Sequence, residues 1–160
     1  MRPGRPLAWQ ILSSDIQLLS ATLDGRGRFH VSSKIRDGLE WLQASRPILA
    51  ALELGGRIRL LPWVGAESVR NRLQTLTNQL TEEDAEKGAD DLVILKHYYE
   101  RLALDESCRI QLPDHVSAHL HATSGGVIFI ARLVAHVELW SDEWRERRLA
   151  DAISMAEELP

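Results

Sequence analysis

The sequence predicts an α+β fold made of two interlocking copies of one small unit. Three observations carry that expectation. A short signature, Leu-Asp-x-x-x-Arg, occurs twice, as Leu23–Arg28 and as Leu104–Arg109. The apolar positions that follow keep the same register, because Asp24 and Asp105 lie 81 residues apart and Val31, Ile35 and Leu39 then meet Leu112, Val116 and Leu120. Each copy also continues with the same local pattern of strand, short helix, strand and longer helix. An internal repeat of this kind constrains the architecture more than any single motif. Units of about fifty residues built of short strands are marginal alone. The simplest arrangement is a pseudo-dimeric barrel in which each half completes the other.

The elements follow in order. Arg28-Phe29-His30-Val31 and Arg109-Ile110-Gln111-Leu112 alternate polar and apolar residues, as half-buried strands do. Ser32 and Pro113 then open short helices that reach Leu39 and Leu120, with apolar residues four apart. Arg57-Ile58-Arg59-Leu60 and His136-Val137-Glu138-Leu139 read as further strands, with Gly55-Gly56 and Gly125-Gly126 marking turns nearby. Val69, Leu73, Leu76 and Leu80 form the stripe of a first amphipathic helix. Thr81-Glu82-Glu83-Asp84 resembles a capping box and opens a charged linker toward a helix over Leu92–Tyr99. Ser141 is placed to cap a last helix, with Asp142 and Glu143 in its first turn, where the helix dipole favours acids. Its stripe is the Arg145 stem, Leu149, Ala152, Ile153 and Ala156. The expected units are residues 18–65, a helical connection over 66–98, a second unit over 99–145 and a C-terminal helix over 146–160.

Size and composition narrow the function classes. The chain has 160 residues, 44% apolar and 26% charged, as ordinary globular proteins have. Its apolar runs, such as Leu92–Leu95 and Gly126–Ala131, are too short to span a bilayer, and no signal peptide is expected. A single cysteine, Cys108, excludes an intrachain disulfide and fits a reducing compartment. Cys108 falls in a strand or turn, where a buried small residue is a simpler reading than a nucleophile. The net charge of −4 argues against indiscriminate nucleic-acid binding. Residues 1–36, however, hold six cations against Asp15 and Asp24, a local surplus of +4. His115, His119 and His121 form the main histidine cluster, but the pattern lacks a metal-site frame, and a polar helix face is the expected reading. No nucleophile–base set emerges, so no catalytic residue, metal or cofactor is expected, and no small-molecule ligand.

The doubled signature, its strand and its short helix resemble the SpoVT/AbrB swapped-hairpin domain. Two tandem copies, with Leu60-Leu61-Pro62 beginning the first long helix and a closing Val137-Glu138-Leu139-Trp140-Ser141-Asp142-Glu143-Trp144, resemble the MraZ family of bacterial transcriptional regulators. The resemblance spans about residues 20 to 150. Arg26 stands where a lysine is usual, Ser107 and Cys108 replace the small or basic residue and the glycine of the second copy, and Ser32 stands where proline is common. The resemblance implies a cytoplasmic, nucleoid-associated regulator that assembles as a homo-oligomeric ring and binds short direct repeats in double-stranded DNA upstream of the division and cell-wall gene cluster.

On this reading the DNA-binding candidates are Asp24, Arg26, Arg28, Lys34, Arg36, Asp105 and Arg109, with Arg5 as a further phosphate contact. Arginine presents a planar fork of donors to phosphates and to the O6 and N7 of guanine, and a strand pair can carry it into the major groove. Asp24 is placed to orient Arg28 or cap the turn. Residues 24–28 carry two arginines against one acid, whereas 105–109 carry one arginine against two. The first copy is therefore expected to make most of the DNA contact, and the second to be more structural. Both Asp-x-x-x-Arg pairs also read as ion pairs that pin a turn. Trp140, Trp144 and the tail helix are candidates for subunit contact or for core packing. A reading from another class is an oligomeric scaffold or partner-binding paralogue without DNA binding, motivated by the acidic charge and the altered second signature.

Overall fold

The structure is a computed structural model and describes residues 16–65, 67–68, 71, 74–75, 98–122, 125–133 and 136–159. The protein is α+β. In chain order the elements are β1 (Gln17–Thr22), β2 (Arg28–His30), α1 (Ser33–Arg36), β3 (Pro47–Glu53), β4 (Arg57–Pro62), β5 (Tyr99–Ala103), β6 (Arg109–Gln111), α2 (Asp114–His119), β7 (Val127–Arg132), β8 (Val137–Trp140) and α3 (Asp142–Glu157). Glu67, Ser68, Asn71, Gln74 and Thr75 are also helical. The stripe residues Val69, Leu73, Leu76 and Leu80, the capping box at Thr81–Asp84 and Arg5 lie outside the described residues.

Six strands form one antiparallel sheet in the order β1-β7-β8-β4-β3-β5, with β1 and β5 as its ends, and β2 pairs with β6 in a separate ribbon. The first strand of each half pairs with the third strand of the other. Thus β1 lies on β7 from Gln17↔Arg132 to Thr22↔Val127, and β5 lies on β3 from Pro47↔Ala103 to Ala51↔Tyr99. The central seam is β4 on β8. Exchanging the two halves leaves this pairing pattern unchanged, so the halves interlock.

The repeat register is also the core. Leu23, Val31, Ile35 and Leu39 are buried, and so are Leu104, Leu112, Val116 and Leu120. Phe29 and Ile110 are cross-strand partners in the ribbon and are 1% and 0% exposed, so they close the core from that side. Ile48, Ile58, Leu60, Ile128, Ile130 and Leu139 supply the sheet's inner face. Alternation appears where one face is wet, as in β1. Four consecutive residues of β3, Ile48–Ala51, are buried, which fits a strand paired on both sides.

Glu138 is only 5% exposed, on a sheet face otherwise crossed by cations and aromatics. Burial alone would raise its pKa. The indole N–H of Trp140 (3.0 Å), the ring of His136 (2.8 Å) and the charge of Arg57 (3.4 Å) outweigh that and lower it. Arg57 is in turn bound to Glu53 at 2.8 Å, across the turn that joins β3 to β4.

Several expectations need correction. Leu60-Leu61-Pro62 ends β4 instead of starting a helix, because Leu61 and Pro62 pair with Leu49 and Ile48 and extend the alternation of Arg57–Leu60. Pro62 is tolerated there because the pairing with β8 ends at Leu60, which leaves Pro62 paired on the β3 side alone, as on an edge strand. Tyr99 begins β5, where it pairs with Ala51, and the remainder of the expected Leu92–Tyr99 helix up to residue 97 lies outside the described residues. Pro113 occupies the N-cap of α2, and Ser32 caps α1 without a side-chain hydrogen bond. Ser141 does cap α3, accepting from the Trp144 N–H at 3.1 Å. α3 begins four residues before the expected boundary at 146 and buries none of its residues. Only its first turn meets the sheet, through Trp144 against Gly55 and the Arg145 guanidinium 4.6 Å from the Phe129 ring. Leu149 and Ile153 are therefore half exposed.

Candidate nucleic-acid interface

Both signatures fold into the same turn. Asp24 Oδ1 accepts the backbone N–H of Arg26 at 2.8 Å and of Arg28 at 2.9 Å, and its Oδ2 accepts Arg28 Nε–H at 2.8 Å. Asp105 Oδ1 accepts the N–H groups of Ser107 and Arg109, each at 2.9 Å, and its Oδ2 accepts Arg109 Nε–H at 3.1 Å. A carboxylate at this position satisfies two backbone donors and one guanidinium at once, which explains the four-residue spacing of acid and arginine. The Arg28 N–H is the main influence that holds Asp24 down at about 2, joined by the Arg26 N–H and the guanidinium and opposed by partial burial. Asp105 is lowered for the same reason, first by the Arg109 N–H.

The turn needs a left-handed residue before the arginine. Gly27 fills that position at φ 73°, and Cys108 fills it at φ 60°. Cys108 is thus a turn residue, half-buried against the core. Each turn is tied to the other half: Gly27 O accepts Leu112 N–H at 2.9 Å, and Cys108 O accepts Val31 N–H at 2.8 Å. The arginines are therefore fixed to a shared ribbon.

The ribbon pairs Arg28 with Gln111, Phe29 with Ile110 and His30 with Arg109. Side chains alternate along a strand, so Phe29 and Ile110 face the core and the other four share the outer face. His30 and Gln111 are exposed, and Arg28 and Arg109 are half-buried beside their aspartates. His30 and Gln111 were not singled out from the sequence, although the polar–apolar alternation of the two segments already placed them on the arginine face. Gln111 Nε2 donates to Arg26 O at 3.3 Å and so joins the second strand to the first turn.

The other candidates are distributed as follows. Arg26 is exposed at the tip of the first turn, and Glu106 and Ser107 occupy the tip of the second. Gly25, Arg26 and Gly27 also border an open hollow of about 430 Å³ with Asp114, Ser117 and Ala118. Lys34 is exposed on α1, while Arg36 is half-buried and donates Nε–H to Val31 O at 3.0 Å. No hydrogen bond or ion pair among the described residues joins Lys34 or Arg36 to the signature residues. His115 meets Glu100 at 3.1 Å, and His119 Nε2 sits 2.6 Å from Glu53 O and 3.0 Å from Arg57 O. His119 thus ties α2 to the turn between β3 and β4. Among the described residues, no helix is long and apolar enough to cross a membrane.

No protein-family model and no curated protein sequence matches the chain.

Proposed function

We propose that the protein is a sequence-specific DNA-binding transcriptional regulator of the MraZ type, with two swapped-hairpin units closing a pseudo-dimeric barrel. One observation carries the reading: a two-stranded ribbon whose inner face is core and whose outer face presents Arg28, His30, Arg109 and Gln111. The major groove admits a ribbon of this width. Asp24 and Asp105 spend their oxygens inside their own turns and hold each arginine by Nε. Among the described residues the terminal guanidinium nitrogens have no partner, which leaves them as donors for a base or a phosphate. Arg26 adds a cation at the first tip, where Glu106 adds an acid at the second, so the first copy makes the stronger contact.

One subunit offers few contacts, and a homo-oligomeric ring on repeated boxes would supply affinity by multivalency. The unburied stripe of α3 supports such assembly. The same stripe favours the second reading, a partner-binding or scaffold protein that no longer binds DNA. A titration with a duplex from upstream of the protein's own gene, at several salt concentrations, separates the two. A DNA reader shows specific binding that weakens as salt rises, and Arg28→Ala weakens it more than Arg109→Ala. Equal small effects, or no specific binding, would overturn the assignment.

A further inference from the structure

The ribbon is symmetric in backbone and asymmetric in chemistry. Exchange of the halves carries Arg28 onto Arg109 and His30 onto Gln111. The first pair is identical and identically held. The second pair differs in donors and acceptors, and also in support. Gln111 is steadied by its bond to Arg26 O, whereas His30 has no side-chain partner among the described residues.

We propose that His30 and Gln111 are specificity-determining residues that read different bases at equivalent places in one DNA box. This rests on the DNA-binding reading above. A glutamine amide presents one acceptor and two donors. The bond to Arg26 O uses one donor, and the remaining donor and the carbonyl oxygen match adenine N7 and N6 together. Imidazole has no such adjacent pair. Its N–H meets a purine acceptor but cannot also receive from adenine N6 in the same plane. The Gln111 half-site thus carries a fixed adenine beside the guanine suited to Arg28, its cross-strand neighbour. The His30 half-site carries the guanine for Arg109, opposite His30 in the ribbon, without that adenine. The box is therefore a broken palindrome with a direction, and a subunit sits on it in one orientation.

The test is selection from a pool of synthetic duplexes with a randomised core, using the intact protein and the variants His30→Gln and Gln111→His. The wild-type consensus should show two half-sites alike at the arginine position and unlike at one neighbouring position. His30→Gln should bring adenine into the second half-site and make the box palindromic. Gln111→His should remove the adenine, with about a fivefold to hundredfold loss of discrimination there. A wild-type consensus with identical halves overturns the inference and leaves DNA binding standing. So does retention of an unchanged consensus by both variants. Failure to enrich any sequence from the pool removes the DNA reading, and this inference with it.

Discussion

Replacement of Gly27 by alanine tests the turn that carries the arginines. The left-handed conformation at φ 73° costs an L-residue roughly 1–2 kcal/mol. The alanine Cβ would also stand 3.2 Å from Leu112 O, the end of a strand that Gly27 O itself binds, so the strand must give slightly. Against this, alanine narrows the unfolded ensemble and returns about 0.4–1 kcal/mol. With the crowding added, the net expectation is a loss of about 1–2 kcal/mol. For a chain of this size each kcal/mol moves the melting temperature by about 2–4 °C, so Tm should fall by about 2–8 °C. Thermal unfolding followed by circular dichroism measures it. The natural comparison is Cys108→Gly, which relieves the same backbone strain but loses packing against the core and loosens the unfolded chain. It should change stability by less than about 0.5 kcal/mol. An unchanged or raised Tm for Gly27→Ala would refute the reasoning, because it would mean that the left-handed position does not control the turn.

Three further outcomes follow from the same structure. Asp24 titrates at about 2 in the folded chain against an ordinary 3.8, so its contribution is full above about 3.8 and is lost as pH falls toward 2; Asp24→Asn should flatten that part of the acid stability profile, measured by urea unfolding between pH 5 and pH 2. A Cβ on Gly55 would collide with the Trp144 ring, so Gly55→Ala should displace the start of α3 and shift Trp144 emission, read against a Trp144→Phe control. Phe29→Ala removes a ring that is 1% exposed beneath the ribbon and should cost about 3–5 kcal/mol in denaturant unfolding, well beyond the effect of any outward ribbon residue.

The core was legible because both signature segments are followed by the apolar positions that it requires. Leu23, Val31, Ile35 and Leu39 and their counterparts are all buried. The turn chemistry was legible in Asp24 and Arg28, since a carboxylate two and four residues before its donors makes a recognisable spacing. Cys108 hid the same turn in the second copy, because a left-handed backbone leaves no trace when glycine is absent. The long strands β3 and β7 resisted reading, since Ile48–Ala51 and Ile128–Ala131 are largely apolar runs without strict alternation. Leu60-Leu61-Pro62 misled for a related reason: proline at the end of a strand and proline at the start of a helix look alike without the partner strand. Glu138 gave no sign that it would be buried, because Arg57 reaches it from a neighbouring strand whose pairing is invisible along the chain. The ribbon's outer face was half legible, with its arginines named and His30 and Gln111 passed over as ordinary polar positions.

The interleaved pairing also sets an order of events during synthesis. The hairpin of β3 and β4 can form as soon as residue 62 is made. β1 cannot pair until β7 exists, and the roughly hundred residues between them take about 5–20 s to translate. Over that interval Gln17–Thr22 is an unpaired edge, and Phe29 has no Ile110 to cover it. A chain that stops before Arg132 is consequently not a smaller version of the protein. It is a nascent half with an open strand edge and an uncovered core, a form prone to aggregate or to recruit the missing strands from another copy.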